Sequence, residues 1–377
     1  MQSITKAKLV AMLADAGITI NGDQPCDLQV HDERLYGRIA RNRTIAAGET
    51  YVEGWWDCER LDELFHRALD KELDQRLYSP WFLWRILSNS IFNQQTRSKS
   101  KAVANTHYNL GNDLYRAMLG ESMAYTCAYW LQADSLDAAQ FAKYDLVCRK
   151  LDLQPGDKVL EVGSGFGGLA KYMADRYGCE VVAISIAEQP VAYARTLCSE
   201  LPVQVHLCDY RDVSVYNPSG LKFDKVVSVG VCEHVGYKNY RTLMKIVRAQ
   251  IKEDGLFMLH TIGGNQSKNF TEPWIDKYIF PHGMLPSIKQ LGASMENLFV
   301  VEDLHNFGAD YDKTLMAWHK NFVDDWAQHR DKYGDRFYRM WSYYLLSCAG
   351  GFRARAMQLW EFVLSPRGVP HGYKTVR

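Results

Sequence analysis

The stretch Asp157 to Met173, "DKVLEVGSGFGGLAKYM", joins a short apolar run to a helical pattern through four glycines in six residues, Gly163, Gly165, Gly167 and Gly168. A buried strand that ends in a glycine turn and opens a helix brings backbone N–H groups to a ligand. The same alternation continues downstream. A helix over Gly167 to Tyr177 leads to the strand "EVVAIS", a helix over Pro190 to Ser199 to "VQVHLC", then "DKVVSVG", a helix over Tyr240 to Ile251, and "GLFMLHTI". Strands that are apolar throughout and separated by helices predict a parallel sheet covered on both faces, a doubly wound, Rossmann-like α/β domain.

Gly163, Gly165 and Gly168 satisfy G-x-G-x-x-G, which by itself leaves a nicotinamide dehydrogenase open. Two features favour S-adenosyl-L-methionine. Glu161, two residues before the first glycine, can attract an amino-acid ammonium and would repel a pyrophosphate. The tip of the second strand, "SIAEQ" from Ser185 to Gln189, lacks the acidic residue at the strand end that holds an NAD ribose. After the third strand, "CDYRD" sets Asp209, Tyr210 and Arg211 at a strand tip, where a carboxylate or neighbouring backbone can read an adenine amino group. A methyltransferase is the favoured reading. A structural Rossmann-like domain and an NAD enzyme are the alternatives.

The 377 residues are enough for one large domain and a smaller companion. Lys and Arg together number 44, as do Asp and Glu, so no global field draws the chain to nucleic acid. Nine cysteines stand singly, without C-x-x-C or zinc spacing, which reads as reduced thiols in a cytoplasm and as no metal site. No apolar run reaches eighteen residues, so no membrane span is expected. The 10 Trp, 22 Tyr and 15 Phe exceed what the core obviously needs and suggest a large apolar ligand.

Residues 1–95 read as a small, mostly helical domain, with Leu61, Leu64, Phe65 and Leu69 at helical spacing; 96–104 as a polar, basic linker; and 105–377 as the catalytic domain. Pro80 to Lys101, "PWFLWRILSNSIFNQQTRSKSK", sets Trp81, Trp84, Leu87 and Ile91 on one helical side ahead of Arg97, Lys99 and Lys101. That composition suits either an interfacial helix on anionic lipid or a helix packing the two domains together.

Through "GETYVEGWWDC", "HYNLGNDLY", "CAYW", "VSVGVCEHVG", "LHTIG", "PWIDKYIFPHG", "HNFGADYDKTLMAW" and "CAGGFRAR", the chain resembles the cyclopropane fatty acid synthase family from about Ala16 to its C-terminus. The glycine loop departs slightly, with Ser and Phe where relatives often carry Cys and Trp, and the second strand ends one residue early. Neither change removes a polar group. The resemblance implies an N-terminal lipid-binding domain, a class I methyltransferase domain, a homodimer, and peripheral contact with membrane phospholipid from the cytoplasmic side. It implies transfer of a methyl group from S-adenosylmethionine to a cis double bond and ring closure, with a bound bicarbonate ion as base. A relative that stops at a methyl- or methylene-branched chain, and a non-catalytic lipid or cofactor carrier, are the alternatives.

An alkene is a weak nucleophile, so the methyl sulfonium must be aligned with it in a dry site. Tyr125, Tyr129, Trp130, Tyr278 and Phe280, with Tyr311, are the aromatic faces expected to line the acyl channel and stabilise a cation, each also readable as ordinary apolar lining. Glu233 in "VCEHVG" and His260 in "LHTIG" fall at carboxyl ends of parallel strands, where ligands bind in such sheets. The resemblance places Cys127, Glu233, His260, Ile262 and Tyr311 around the bicarbonate, held by His and Tyr donors and giving its O–H to Glu233, with Cys127 a wall of the pocket. It also marks Cys348 as a residue regarded as part of the active site, which reads here as a buried helical thiol, since methyl transfer needs no covalent enzyme intermediate. Tyr108 joins Glu161, Gly163, Gly165, Gly167, Ser185, Gln189, Asp209, Tyr210 and Arg211 as the cofactor-binding set.

Overall fold

A computed structural model describes residues 5–76, 93, 95–96, 111–217 and 220–377. Tyr108 and most of both the expected linker and the Pro80–Lys101 segment lie outside the described residues. The chain divides into two compact units. One takes the described part of Met1–Phe92 together with Phe270–Pro281 and Tyr311–Met357; the other takes Asn93–Asn269, His282–Asp310 and Gln358–Arg377. The units are therefore not two consecutive stretches, as a division at 96–104 would have them.

The first unit shows why two late segments join the N-terminal one. Leu61–Asp70 is a helix that buries Leu61 and Leu64. Gly350 lies so close to it that a Cβ there would meet Asp62 O at 2.5 Å. Asp62 is 2% exposed and accepts from Arg60 at 2.9 Å and Arg353 at 2.8 Å, while Arg353 also pairs with Asp312 at 2.9 Å. Trp274 is buried between Gly48 and the Tyr343 ring, whose centroid is 4.5 Å away. Asp310–Arg353 is helical except at Gly334, whose φ of 75° breaks it. A two-residue antiparallel pair, β1 (Gln29–Val30) and β2 (Trp56–Asp57), completes this unit.

The second unit is built on seven strands: β3 (Lys158–Val162), β4 (Glu180–Ser185), β5 (Val203–Leu207), β6 (Phe223–Val229), β7 (Ile251–Gly264), β8 (Val300–Asn306) and β9 (Met357–Ser365), in the order β5-β4-β3-β6-β7-β9-β8. Pairs β4–β5, β3–β4, β3–β6 and β6–β7 are parallel, and β8–β9 is antiparallel. The five parallel strands are those expected from their apolar runs, and the intervening helices Gly168–Tyr177, Glu188–Leu197 and Tyr240–Gln250 lie within two or three residues of expectation.

Period-two alternation sends Leu160, Val162, Val226, Phe257 and Leu259 into one buried cluster and Val159, Val181, Ala183, Val227 and Met258 into the other. Both faces of the sheet are thus covered. β3 is central, and the strand order reverses on either side of it, so the carboxyl ends of β3, β4, β6 and β7 surround the place where such sheets hold ligands.

Candidate active site

The glycine loop begins where β3 ends. The Gly163 and Ser164 N–H groups donate to Ile184 O at 2.9 and 3.0 Å, tying the loop to the end of β4. Gly163, Gly165 and Gly167 all have positive φ, at 92°, 48° and 85°, but their surroundings differ. A Cβ on Gly163 would fall 2.0 Å from Val231 Cγ2, and one on Gly167 would fall 2.7 Å from Ala194 Cβ. Among the described residues, a Cβ on Gly165 would meet nothing within 4 Å. Gly163 and Gly167 therefore serve packing, and Gly165 is where backbone faces open space that a ligand can use.

Glu161, on β3, is 2% exposed and its Oε2 has no hydrogen-bond partner among the described residues. Burial pushes its carboxyl up to about 8, with Lys143 pulling the other way. A buried carboxylate oxygen left orphaned beside a glycine loop fits the ammonium of an amino-acid cofactor. Ser185 accepts the Ala187 N–H at 3.3 Å, and Gln189 is exposed in the first turn of the next helix. The Asp209 carboxylate is engaged by Arg211, with Nε–Oδ1 at 2.7 Å and Nη2–Oδ2 at 2.6 Å, and the Arg211 guanidinium lies 5.2 Å from the Tyr210 ring. An adenine amino group at this strand tip would thus meet an Asp209–Arg211 pair.

Glu233 lies on a short helix, Cys232–Val235, directly after β6, and His260 lies on β7, paired with Val229. They are 7% and 1% exposed. Glu233 Oε1 accepts the Ile262 N–H at 2.7 Å, so Ile262 orients the carboxylate and its N–H is engaged there. Glu233 Oε2 has no hydrogen-bond partner among the described residues, and burial pushes this carboxyl up to about 7. His260 Nδ1 lies 3.0 Å from Glu361 Oε1, and His260 Nε2 has no partner among the described residues.

Burial opposes charge on the imidazole more than Glu361 favours it, so the ring is held below its ordinary value. A neutral ring that gives its Nδ1–H to a carboxylate presents Nε2 as an acceptor. The expectation that His260 donates to a bound anion holds only for the protonated ring.

Cys127 is fully buried, and its thiol donates to Ala128 O at 3.3 Å. The loop that carries it is held from the helix Leu136–Lys150: Lys143 Nζ donates to Thr126 Oγ1 at 2.8 Å and Gln140 Nε2 to Thr126 O at 2.9 Å. The Tyr125 ring packs on Tyr115 at 5.5 Å, Tyr129 packs on Phe307 at 5.2 Å, and the Trp130 backbone N–H donates to Asp310 Oδ2 at 2.8 Å.

Four expected residues belong to the first unit. Tyr311 stacks on Phe352 at 4.4 Å, Tyr278 donates to Glu49 Oε1 at 2.9 Å, and Phe280 meets the Tyr344 ring at 5.8 Å. Burial pushes the Cys348 thiol up to about 12, well away from thiolate chemistry. Glu361, Lys150 and Lys143 escaped the sequence reading. The available signal was a charge inside the apolar run "LWEFVL", which must be paired if the run is a buried strand.

A doubly wound sheet, a glycine loop at its switch point and a buried acid beside that loop define the class I S-adenosylmethionine-dependent methyltransferase architecture. The chain belongs to the mycolic acid cyclopropane synthetase family, whose pattern it matches over residues 94–362. It is 45% identical over 367 residues to the cyclopropane-fatty-acyl-phospholipid synthase of Escherichia coli strain K12, covering 97% of this chain and 94% of the relative. The cyclopropane synthase MmaA2 from Mycobacterium tuberculosis superposes with a TM-score of 0.64 at 25% identity, covering 70% of this chain and 97% of that one. The mycolic acid cyclopropane synthase CmaA1, solved in complex with SAH and CTAB, gives 0.63 at 27% identity with the same coverage.

Proposed function

We propose that this protein methylenates a cis double bond in the acyl chain of a membrane phospholipid to form a cyclopropane ring. The observation that carries this reading is the pair of orphaned buried atoms, Glu233 Oε2 and His260 Nε2, at the carboxyl ends of adjacent strands. S-adenosylmethionine, when bound, supplies the electrophilic methyl group, and bicarbonate, when bound, supplies the base. Glu161 fits the cofactor's ammonium, whose charge would keep the carboxyl ionised against its burial. Glu233 Oε2 fits the O–H of a small anion, and the Ile262 N–H fixes the carboxylate that receives it. The buried walls around Cys127 and His260 exclude water while a carbocation exists. No helix among the described residues is long and apolar enough to cross a membrane.

The test supplies methyl-labelled cofactor and unsaturated phospholipid vesicles and weighs the lipid product. A gain of one CH2 with unchanged hydrogen deficiency and no olefinic signal is expected; a retained double bond makes the product methylene-branched instead. Stripping carbon dioxide from the buffer is expected to depress the rate, and added bicarbonate to restore it. Activity indifferent to bicarbonate would overturn the assignment of the base.

Two binding predictions accompany this. Gly165→Val puts a side chain into the open space beside the loop and should weaken S-adenosylmethionine binding by about 30-fold or more, at a strain cost of about 1–2 kcal/mol for a branched residue at positive φ. Calorimetry and thermal unfolding separate the two effects. Because Glu161 is raised to about 8 before an ammonium arrives, cofactor binding near pH 7 should release a proton, read from the dependence of binding heat on buffer ionisation enthalpy.

A further inference from the structure

His260 stands at the end of a buried charge relay that the reaction as described does not use. Glu361, on β9, and Lys150, at the end of the helix Leu136–Lys150, are both 0% exposed, and Lys150 Nζ lies 2.6 Å from Glu361 Oε2. The other carboxylate oxygen, Glu361 Oε1, lies 3.0 Å from His260 Nδ1. Lys150 Nζ also donates to His305 Nδ1 at 3.1 Å, and that ring is held neutral, pushed down to about 4 by burial and by Lys150. The groups around the His260 ring are thus Glu361 from β9, Lys150 and Lys143 from one helix, and the Phe307 ring at 5.8 Å.

A carboxylate is only an acceptor and an ammonium only a donor. With Lys150 fixing Glu361 as the anion, Nδ1 of His260 must carry the proton, and Nε2 is left as a buried acceptor without a partner among the described residues. We propose that Glu361 and Lys150 are positioning residues that lock His260 in the Nδ1–H tautomer, so that Nε2 serves as the second proton acceptor of the site beside Glu233. This deepens the function proposed above and rests on it. A bicarbonate ion brings one O–H, for which Glu233 Oε2 is the acceptor. Ring closure would break one C–H bond of the transferred methyl group, its electron pair closing the ring on the cationic carbon, and the proton would pass to the bound base. His260 Nε2 would then accept from the second O–H of that base.

Glu361→Gln is the diagnostic change because an amide has one acceptor end. The Lys150 ammonium claims that oxygen, which turns the amide NH2 toward His260 Nδ1 and moves the ring proton to Nε2. The full chain is labelled with 15N-histidine, and the His260 signals are identified by their loss in His260→Gln. The wild type at neutral pH is expected to show a neutral ring protonated at Nδ1. Glu361→Gln is expected to show the proton on Nε2, with kcat lowered about 10- to 100-fold and KM for the cofactor within about 2-fold.

Lys150→Met combined with Glu361→Gln frees the amide to turn its oxygen to Nδ1, so the double variant should regain the Nδ1–H tautomer and part of the lost kcat. An Nε2–H or doubly protonated His260 in the wild type overturns the proposal even if no variant folds. So does a tautomer change in Glu361→Gln that leaves kcat within 2-fold of wild type, or a kcat loss with the tautomer unmoved. The spectrum of the unliganded protein does not depend on bicarbonate, so failure of the base assignment and failure of this relay are read separately.

Discussion

Glu233→Gln is expected to lower kcat for ring formation by at least about 100-fold while changing affinity for the demethylated cofactor by less than about 3-fold. The carboxylate has two oxygens with separate duties: Oε1 takes the Ile262 N–H, and Oε2 is buried without a partner among the described residues. An amide keeps the first if its oxygen faces Ile262, and then offers NH2 where an acceptor is needed. The shape is preserved and the acceptor is lost. Burial already holds Glu233 up at about 7, so the wild-type enzyme should gain activity as pH rises through that region and this carboxyl ionises.

Cys127→Ser provides the contrast. The thiol donates to Ala128 O, a role a hydroxyl can fill, so this variant should stay within about 10-fold of wild type. Rates and lipid masses for the two variants decide between a positioned acceptor and a nucleophile. A dead Cys127→Ser beside an active Glu233→Gln would reverse the assignment.

Why was one part of this site legible in the sequence and another hidden? Glu233 and His260 were placed by topology. Glu233 follows one apolar strand of a parallel sheet and His260 lies in the carboxyl half of the next, and all such strands deliver their carboxyl ends to one edge. The glycine loop was legible for the same reason, although only the structure separates Gly165, facing open space, from Gly163 and Gly167, crowded by Val231 and Ala194.

The relay behind His260 depends on the pairing of Lys150 with Glu361, 211 residues apart, and no periodicity carries that separation. The edge pair β8–β9 was hidden for a related reason. "VVEDLHN" is mostly exposed and shows no clean alternation, and its partner follows only after a long helix. The first unit needs Phe270–Pro281 and Tyr311–Met357 because Gly48 and Asp62 pack against Trp274 and Arg353, contacts that local pattern cannot announce.

Lys150→Met should destabilise the second unit by about 3–5 kcal/mol near pH 7.5, because it leaves a buried carboxylate without its cation. Burial pushes Glu361 up, but the His260 ring N–H and the Lys150 ammonium outweigh it and hold the carboxyl down at about 2. A group depressed in this way contributes stability above its unfolded value near 4.5, and that stability is lost as pH falls toward about 2. In Lys150→Met the sign reverses. Burial is then opposed by His260 alone, the folded value rises, and the deficit against wild type should shrink as pH is lowered toward 5 and Glu361 takes up a proton.

Chemical unfolding at a series of pH values gives this curve. A deficit independent of pH would mean that lost packing, and not an orphaned charge, explains the variant. The companion experiment removes both charges. Lys150→Met with Glu361→Leu replaces a desolvated ion pair by apolar groups of similar length, and such replacements are often neutral or stabilising by about 1–4 kcal/mol. Recovered stability with a still depressed kcat would show that the pair is retained for what it does to His260. Recovered stability with wild-type turnover would show that the pair has no bearing on the chemistry.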